Sequence, residues 1–326
     1  MSVQTNNVLG IGAPIVDRIL FITDDFLQKL HINKGGIAFV DHLALAAILD
    51  QYATDALTGA GGSGANVIKG MAHLGEKCAL TGKIGTDPNA EIFLKNLSAL
   101  SITSLYVSSS TPTGQVLSLV TPDGERTICS FLGSGGLMTP EDLKEEFFKG
   151  MKLVHIEGYT LLNPGLTHRA VEQAKKAGAK VSFDLANYEI VQTHKECIGK
   201  LMSSVDILFA NADEARALTG FGPEKACSLL KNICEIVVVT LGEKGCCVGH
   251  KDQVVRYPVD AVKPLDTTGA GDLFASGFLY GYLKDLPLRE CAQLGVRIAR
   301  AVVQVEGTEI PPEGWNQLKT ELNIIS

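Results

Sequence analysis

Through the middle of the chain, apolar residues gather in short runs, separated by longer stretches where they recur every three or four positions. The runs Leu153–Ile156, Val181–Phe183, Ile207–Ala210 and Ile236–Thr240 have the length of strands, and the last has the β-branched content of a strand buried on both faces. Between them, Gly165–Ala177 closed by Gly178 reads as a helix. A second helix is predicted to begin near Asn211 and a third to follow Pro223. Such alternation implies right-handed crossovers onto a parallel sheet, so the pattern predicts a three-layer α/β/α fold with a mainly parallel central sheet.

Two segments break this rhythm. Gln115–Val120, the turn Thr121-Pro122-Asp123-Gly124 and Arg126–Leu132 alternate apolar and polar residues as a hairpin does, and Gly36–Asp41 offers another short strand. Gln51–Thr58 reads as polar rather than as a buried strand. Because the chain leaves the main sheet and returns each time, a small β-sheet lid is expected, made of insertions at about 17–42 and 104–133 in a single domain spanning 1–326. In an open parallel sheet, ligands bind beyond the carboxyl ends of the strands. Those ends carry Asp17, Glu157-Gly158, Asp184, Asn211–Glu214 and Thr240–Gly245.

Composition narrows the functions. The 326 residues are 45% hydrophobic, enough for a large core without disulfide staples. With 29 basic against 36 acidic residues, and no basic run longer than Lys175-Lys176, the footprint of a nucleic-acid binder is missing. No stretch reaches the roughly 20 apolar residues of a membrane span, and the N-terminal segment lacks a basic region followed by a long apolar one, so a cytoplasmic protein is expected. The eight cysteines form no C-x-x-C pair and read as reduced, buried hydrophobes. The seven histidines show no zinc-ligand spacing.

The strongest motif is Asp266-Thr267-Thr268-Gly269-Ala270-Gly271-Asp272, followed at once by the apolar helical run Leu273–Leu279. Small residues ahead of a helix leave several N–H groups unblocked, and the helix dipole adds positive potential, so this corner suits a phosphoryl group. Asp272, in the first turn, lies where it can accept a proton from a nearby hydroxyl; its other use would be as a plain cap. A second motif, Gly61-Gly62-Ser63-Gly64-Ala65-Asn66, opens a helix running to Gly75 and contains G-x-G-x-x-G at Gly59, Gly61 and Gly64. A dinucleotide site would need a buried strand before it and an acidic residue ending the next strand. The alternatives are a tight turn, or a close approach of backbone and Asn66 to a polyhydroxylated ligand. Asn211-Ala212-Asp213-Glu214 and Thr240-Leu241-Gly242-Glu243-Lys244-Gly245 gain weight from their shared position at strand ends. Gly82-Lys83 and Gly199-Lys200 lack the following Ser or Thr of a Walker A loop, so ATP must be held by another device.

The run DTTGAGDLFASGFLYGY from Asp266 to Tyr282 resembles the C-terminal signature of the PfkB, or ribokinase-like, kinases, and GGSGANVIKGMAHLG from Gly61 to Gly75 resembles their N-terminal signature. The likeness extends over nearly the whole chain. It implies that Asp272 is the catalytic base and that Gly269, Ala270 and Gly271 form the anion hole for the γ-phosphoryl group of ATP. It further implies that Asp17, Gly61, Gly62, Ser63 and Asn66 hold the acceptor, and that Thr240, Gly242, Gly245 and Asn211 line the nucleotide site. Arg126 would reach phosphate from the lid. Asn211 and Glu214 would organise Mg²⁺ through water, and Asp266 with Thr268 falls where many members place a monovalent cation, K⁺ being the candidate.

Ser63 stands where ribokinases carry lysine, and Gly-Gly-Ser is the form of the adenosine kinase group, as is Gly124-Glu125-Arg126-Thr127. The resemblance therefore implies a nucleoside acceptor phosphorylated at its 5′-hydroxyl, with ribose, fructose or a related sugar as the alternative. Phe39, Phe131, Tyr159 and Phe183 are candidates for a nucleobase slot. A binding-only protein and a nicotinamide-dependent dehydrogenase are the readings from other classes. The helix dipole is expected to lower the pKa of Asp272, and a monomer or homodimer is expected.

Overall fold

The computed structural model describes residues 6–30, 32–34, 36–52, 57–123 and 125–324. Each central apolar run is a strand, and the helices Pro164–Lys176, Tyr188–Leu201, Ala212–Thr219 and Pro223–Leu230 connect them. The strands join a nine-stranded sheet in the order Gln253–Tyr257, Cys246–His250, Ile236–Thr240, Ile207–Asn211, Lys180–Asp184, Leu153–Ile156, Val8–Ile11, Cys78–Thr81, Thr103–Ser104. All neighbours are parallel except at the first-named edge, where Cys246–His250 and Gln253–Tyr257 run antiparallel. Successive residues point to opposite faces. Leu9, Ile156, Phe183, Leu208 and Val237 thus enter one core, and Val8, Leu153, Ile207, Phe209 and Val238 enter the other. Helices cover both faces, giving three layers; on the second face lie Ser63–His73, Pro88–Ala99, Ala270–Leu283 and Leu288–Val302. Trp315 is buried and stacks on His73 at 4.5 Å. No described helix is long and apolar enough to cross a membrane.

A second, five-stranded sheet has the order Ile37–Phe39, Arg126–Phe131, Gly114–Val120, Ile15–Phe21, Leu57–Gly61. One face is closed by the helices Asp24–Lys29 and His42–Tyr52, through Leu20, Leu117, Leu119 and Cys129 against Phe26, Leu27, Leu45 and Ile48. Leu117 and Leu119 are fully buried, each contributing about 2 kcal/mol to holding the sheet together. The register sets Phe39 beside Ser130, Ser130 beside Val116, Val116 beside Asp17 and Asp17 beside Gly59. These residues form one row across five strands, on the face turned away from that small core.

The strand Leu57–Gly61 departs from the polar reading of Gln51–Thr58, of which residues 53–56 lie outside the described set. Its small residues have little strand preference of their own, and it forms because it pairs antiparallel with Ile15–Ile19. The small sheet therefore takes in chain up to Gly61, beyond the expected limit near residue 42. The second glycine motif does follow a strand, but one in the small sheet and outside any parallel β-α-β unit. Gly124 of the hairpin turn lies outside the described residues.

Candidate active site

The two glycine motifs meet. Helix Ala270–Leu283 starts after Gly269, whose φ of 71° is left-handed; a Cβ there would come within 2.6 Å of Thr308 Cγ2. Glycine meets both demands. Among the described residues, the N–H groups of Gly271 and Asp272 have no acceptor, whereas that of Ala270 donates to Thr267 O at 3.2 Å. Two free amides at the N-terminus of a 14-residue helix make an anion site; the amide of Ala270, expected in the hole, is committed elsewhere.

Asp272 is gripped from the other motif. Ser63 Oγ donates to its Oδ1 at 2.8 Å and Asn66 Nδ2 to its Oδ2 at 2.9 Å. Burial at the cleft floor raises the Asp272 pKa above its ordinary value, while the bonds from Asn66 and Ser63 and the Lys69 charge pull it down. The expected lowering by the helix dipole does not prevail, because desolvation of the carboxylate outweighs it. Lys69 is itself buried, donating to Ala60 O and to Glu309 Oε1 at 2.5 Å.

On one side of the corner is a cleft of about 440 Å³ between the small sheet and this floor. The row across the lid delivers Phe39, Val116 and Asp17 to its wall, with Ile15, Ile128, Leu132 and Tyr159 beside them. Asp17 sits so close to Gly61 that a Cβ on Gly61 would overlap its carboxylate. Gly61 is thus a spacer, while Gly62, Ser63 and Asn66 line the cleft. Burial first, and then the charges of Asp272 and Glu309, raise the Asp17 pKa from 3.8 to about 7 despite Lys69. Asn66 Oδ1 is buried without a hydrogen-bond donor, an acceptor open to a ligand hydroxyl. Of the aromatic candidates, Phe39 is 70% exposed and Tyr159 lines the cleft. Phe183 is buried in the main core and Phe131 packs on His42 at 5.5 Å; neither reaches the cleft.

Across the glycine corner lies a second hollow of about 250 Å³, lined by Thr240, Gly242 and Gly245. Its far wall is aliphatic: Val259, Val262, Val296, Ala299 and Val303. None of these five was singled out from the sequence. Thr240, Thr267, Ala270 and Gly271 border both hollows.

Two carboxylates neighbour the corner. Glu214 is buried and accepts from Asn211 N at 2.7 Å and Asn211 Nδ2 at 2.6 Å; Asn211 Oδ1 accepts from the amides of Asp213 and Glu214, each at 2.9 Å. Asn211 is spent on the helix cap and positions Glu214 rather than offering an oxygen of its own. Burial raises Glu214 to about 7, and burial together with Glu214 raises Asp184 well above its usual range. Neither carboxylate has a cationic side chain as an ion-pair partner among the described residues. This donor chemistry fits a hydrated Mg²⁺, a hard cation that keeps several waters. Glu157, also raised to about 7 by burial, accepts from Ala13 N at 2.7 Å and Gly64 N at 2.8 Å and so fixes the first strand against the second motif.

Arg126 does not face the two hollows. Its Nη1 donates to Asp266 Oδ2 at 2.6 Å, and both residues line a separate pocket behind the glycine corner with Thr268 and Gly307. Asp266 is buried, which opposes ionisation, yet the bonds from Thr268 and Gly307 and the Arg126 charge hold its pKa below the usual value.

The family model described as pfkB family carbohydrate kinase matches residues 36–314. The crystal structure of an adenosine kinase from Sinorhizobium meliloti is similar with a TM-score of 0.86 at 31% identity, covering 97% of this chain and 99% of that one. A probable sugar kinase from Rhizobium etli CFN 42 gives 0.87 at 30% identity, with 98% and 99% covered. Mouse ribokinase is 30% identical over 264 residues, 77% of this chain and 80% of that protein.

Proposed function

The chain belongs to the pfkB family of carbohydrate kinases, phosphotransferases that act on a hydroxyl group, and we propose that its acceptor is the 5′-hydroxyl of an adenosine-like nucleoside, with ATP as donor. The observation that carries this reading is the apolar wall of the acceptor cleft. Exposed Phe39 stands in the same cross-sheet row as Asp17, so a ligand with sugar hydroxyls at Asp17 and a flat base against the lid satisfies both. A bare pentose would leave Phe39, Ile128 and Leu132 uncovered. Likeness to an adenosine kinase at 31% identity supports the reading.

In the proposed reaction Asp272 is the base. Ser63 and Asn66 use one lone pair on each of its oxygens and fix the carboxylate plane, leaving lone pairs for the incoming hydroxyl proton. Asp17 and the free Asn66 Oδ1 orient the sugar. The amides of Gly271 and Asp272 receive the transferring phosphoryl oxygens, as electrostatic preorganisation requires. The aliphatic hollow takes the ATP base. Glu214 and Asp184 would hold Mg²⁺ through water, and the ion would supply neutralisation of phosphate charge. The lid walls off water, so that Asp272 acts mainly by orientation as the hydroxyl becomes acidic late in a loose transition state.

A ribose or fructose acceptor is the second reading, favoured by the comparable likeness to mouse ribokinase and the R. etli sugar kinase. A coupled ADP-release assay over adenosine, inosine, guanosine, cytidine, ribose and fructose decides between them. Adenosine is expected to give the highest kcat/KM. A higher value for a free sugar would overturn the nucleoside reading.

A further inference from the structure

The family resemblance implies a monovalent cation at Asp266 and Thr268, and the residues present do not fit one. Asp266 Oδ1 accepts from Thr268 N at 2.9 Å and Thr268 Oγ1 at 2.7 Å; Oδ2 accepts from Gly307 N at 2.7 Å and Arg126 Nη1 at 2.6 Å. Four donors fill the four lone-pair positions of a carboxylate. The neighbouring Val303 carbonyl is also occupied, accepting from Leu265 N at 2.7 Å and Asp266 N at 3.3 Å. A cation approaching here would meet bound N–H groups and a guanidinium of its own sign.

We propose that Arg126 is a built-in replacement for that cation: tethered to the lid, it neutralises Asp266 and holds the Thr267–Gly271 turn in its phosphate-receiving shape, so that turnover needs no monovalent ion. The side chain of Asp266 is 2% exposed and that of Arg126 27%, so the charge lies on the protein side of the turn, screened from solvent. Asp266 opens the very loop that ends at Gly269, and Thr268, which it binds twice, precedes that glycine. Arg126 starts the lid strand Arg126–Phe131. The pair is therefore a strap between lid and anion site, formed only when the lid strand lies over the turn. A charge-assisted bond of this kind is strong, and removing one partner leaves the other buried and uncompensated. Arg126 acts through Asp266 and is a positioning residue.

The inference rests on the kinase class alone and holds whichever acceptor is turned over. The test compares the wild-type enzyme in KCl and in tetramethylammonium chloride at equal ionic strength. The wild-type kcat is expected to agree within about twofold between the two salts. Arg126→Ala is expected to lose roughly tenfold or more in tetramethylammonium and to regain most of it with KCl in a saturable manner, because K⁺ can enter beside the vacated Asp266. Arg126→Ala/Asp266→Asn, lacking the anion, should show no rescue. Thermal denaturation supplies a readout apart from turnover: KCl should raise the Tm of Arg126→Ala relative to tetramethylammonium, and leave that of the wild type unmoved. Several-fold activation of the wild type by K⁺ overturns the proposal without recourse to any variant. So does a loss in Arg126→Ala that is identical in both salts, in activity and in Tm.

Discussion

The two hollows that meet at the glycine corner are built from different materials. The acceptor side is defined by side chains brought from distant parts of the chain: Asp17 and Phe39 from the small sheet, Ser63 and Asn66 from one helix, Asp272 from another. The nucleotide side is mostly backbone and aliphatic surface, with Gly242, Gly245, Val259, Val262 and Ala299. Directed polar groups discriminate between ligands far more strongly than apolar slots do. In the proposed reaction the acceptor hollow therefore sets which hydroxyl reacts while the nucleotide hollow supplies affinity, and the two halves should respond separately to substitution.

The largest effect is expected where they join. Asp272→Asn should lower kcat by about 10² to 10⁴ with an unchanged thermal transition; near-normal turnover would remove the base from the proposal. Because burial raises the Asp272 pKa, the acidic limb of the kcat/KM profile should lie above the range of a free aspartate.

One step away, Asp17→Asn should raise the acceptor KM roughly tenfold to a hundredfold, the loss of charge-assisted bonds, and leave the ATP KM unchanged. Equal rises in both would dissolve the division. The same variant has a stability signature. An acid whose folded pKa of about 7 exceeds its unfolded 3.8 binds its proton more tightly when folded, so its contribution to stability is present at low pH and is lost as pH rises through that window. Asp17→Asn should flatten the fall of Tm of the ligand-free protein over that range.

On the other side, Ala299→Phe should fill the aliphatic slot and raise the ATP KM by about tenfold, sparing the acceptor KM. The smallest effect, Phe39→Ala, should raise nucleoside KM by roughly three- to tenfold, the worth of one aromatic contact, with no change for ribose. A matching change for ribose would mean that Phe39 shapes the lid rather than the base slot.

Much of this was legible along the chain, for local reasons. Apolar runs such as Leu153–Ile156 make strands wherever they are sheltered. Glycines before an apolar helix expose amides whatever surrounds them, so Gly269–Gly271 and Asp272 could be singled out by spacing. The cleft residues Ser63 and Asn66 carried the same kind of signal. Leu57–Gly61 carried none, because its strand exists only through pairing with Ile15–Ile19. Alternation in the hairpin and in the short strand at Gly36–Asp41 predicted that one face would be apolar, yet it could not tell Phe131, turned toward His42, from Phe39, turned to the cleft.

What the residue order determined by itself is therefore the inventory: a parallel α/β core, an inserted small sheet, and a glycine corner with a carboxylate at its edge. Tertiary structure decided which charges meet. Packing carried Arg126 across 140 positions to Asp266, and it raised rather than lowered the Asp272 pKa by stripping water from the cleft floor. Desolvation and ion pairing depend on distances through space, and those become definite only once the sheets and helices have closed around one another.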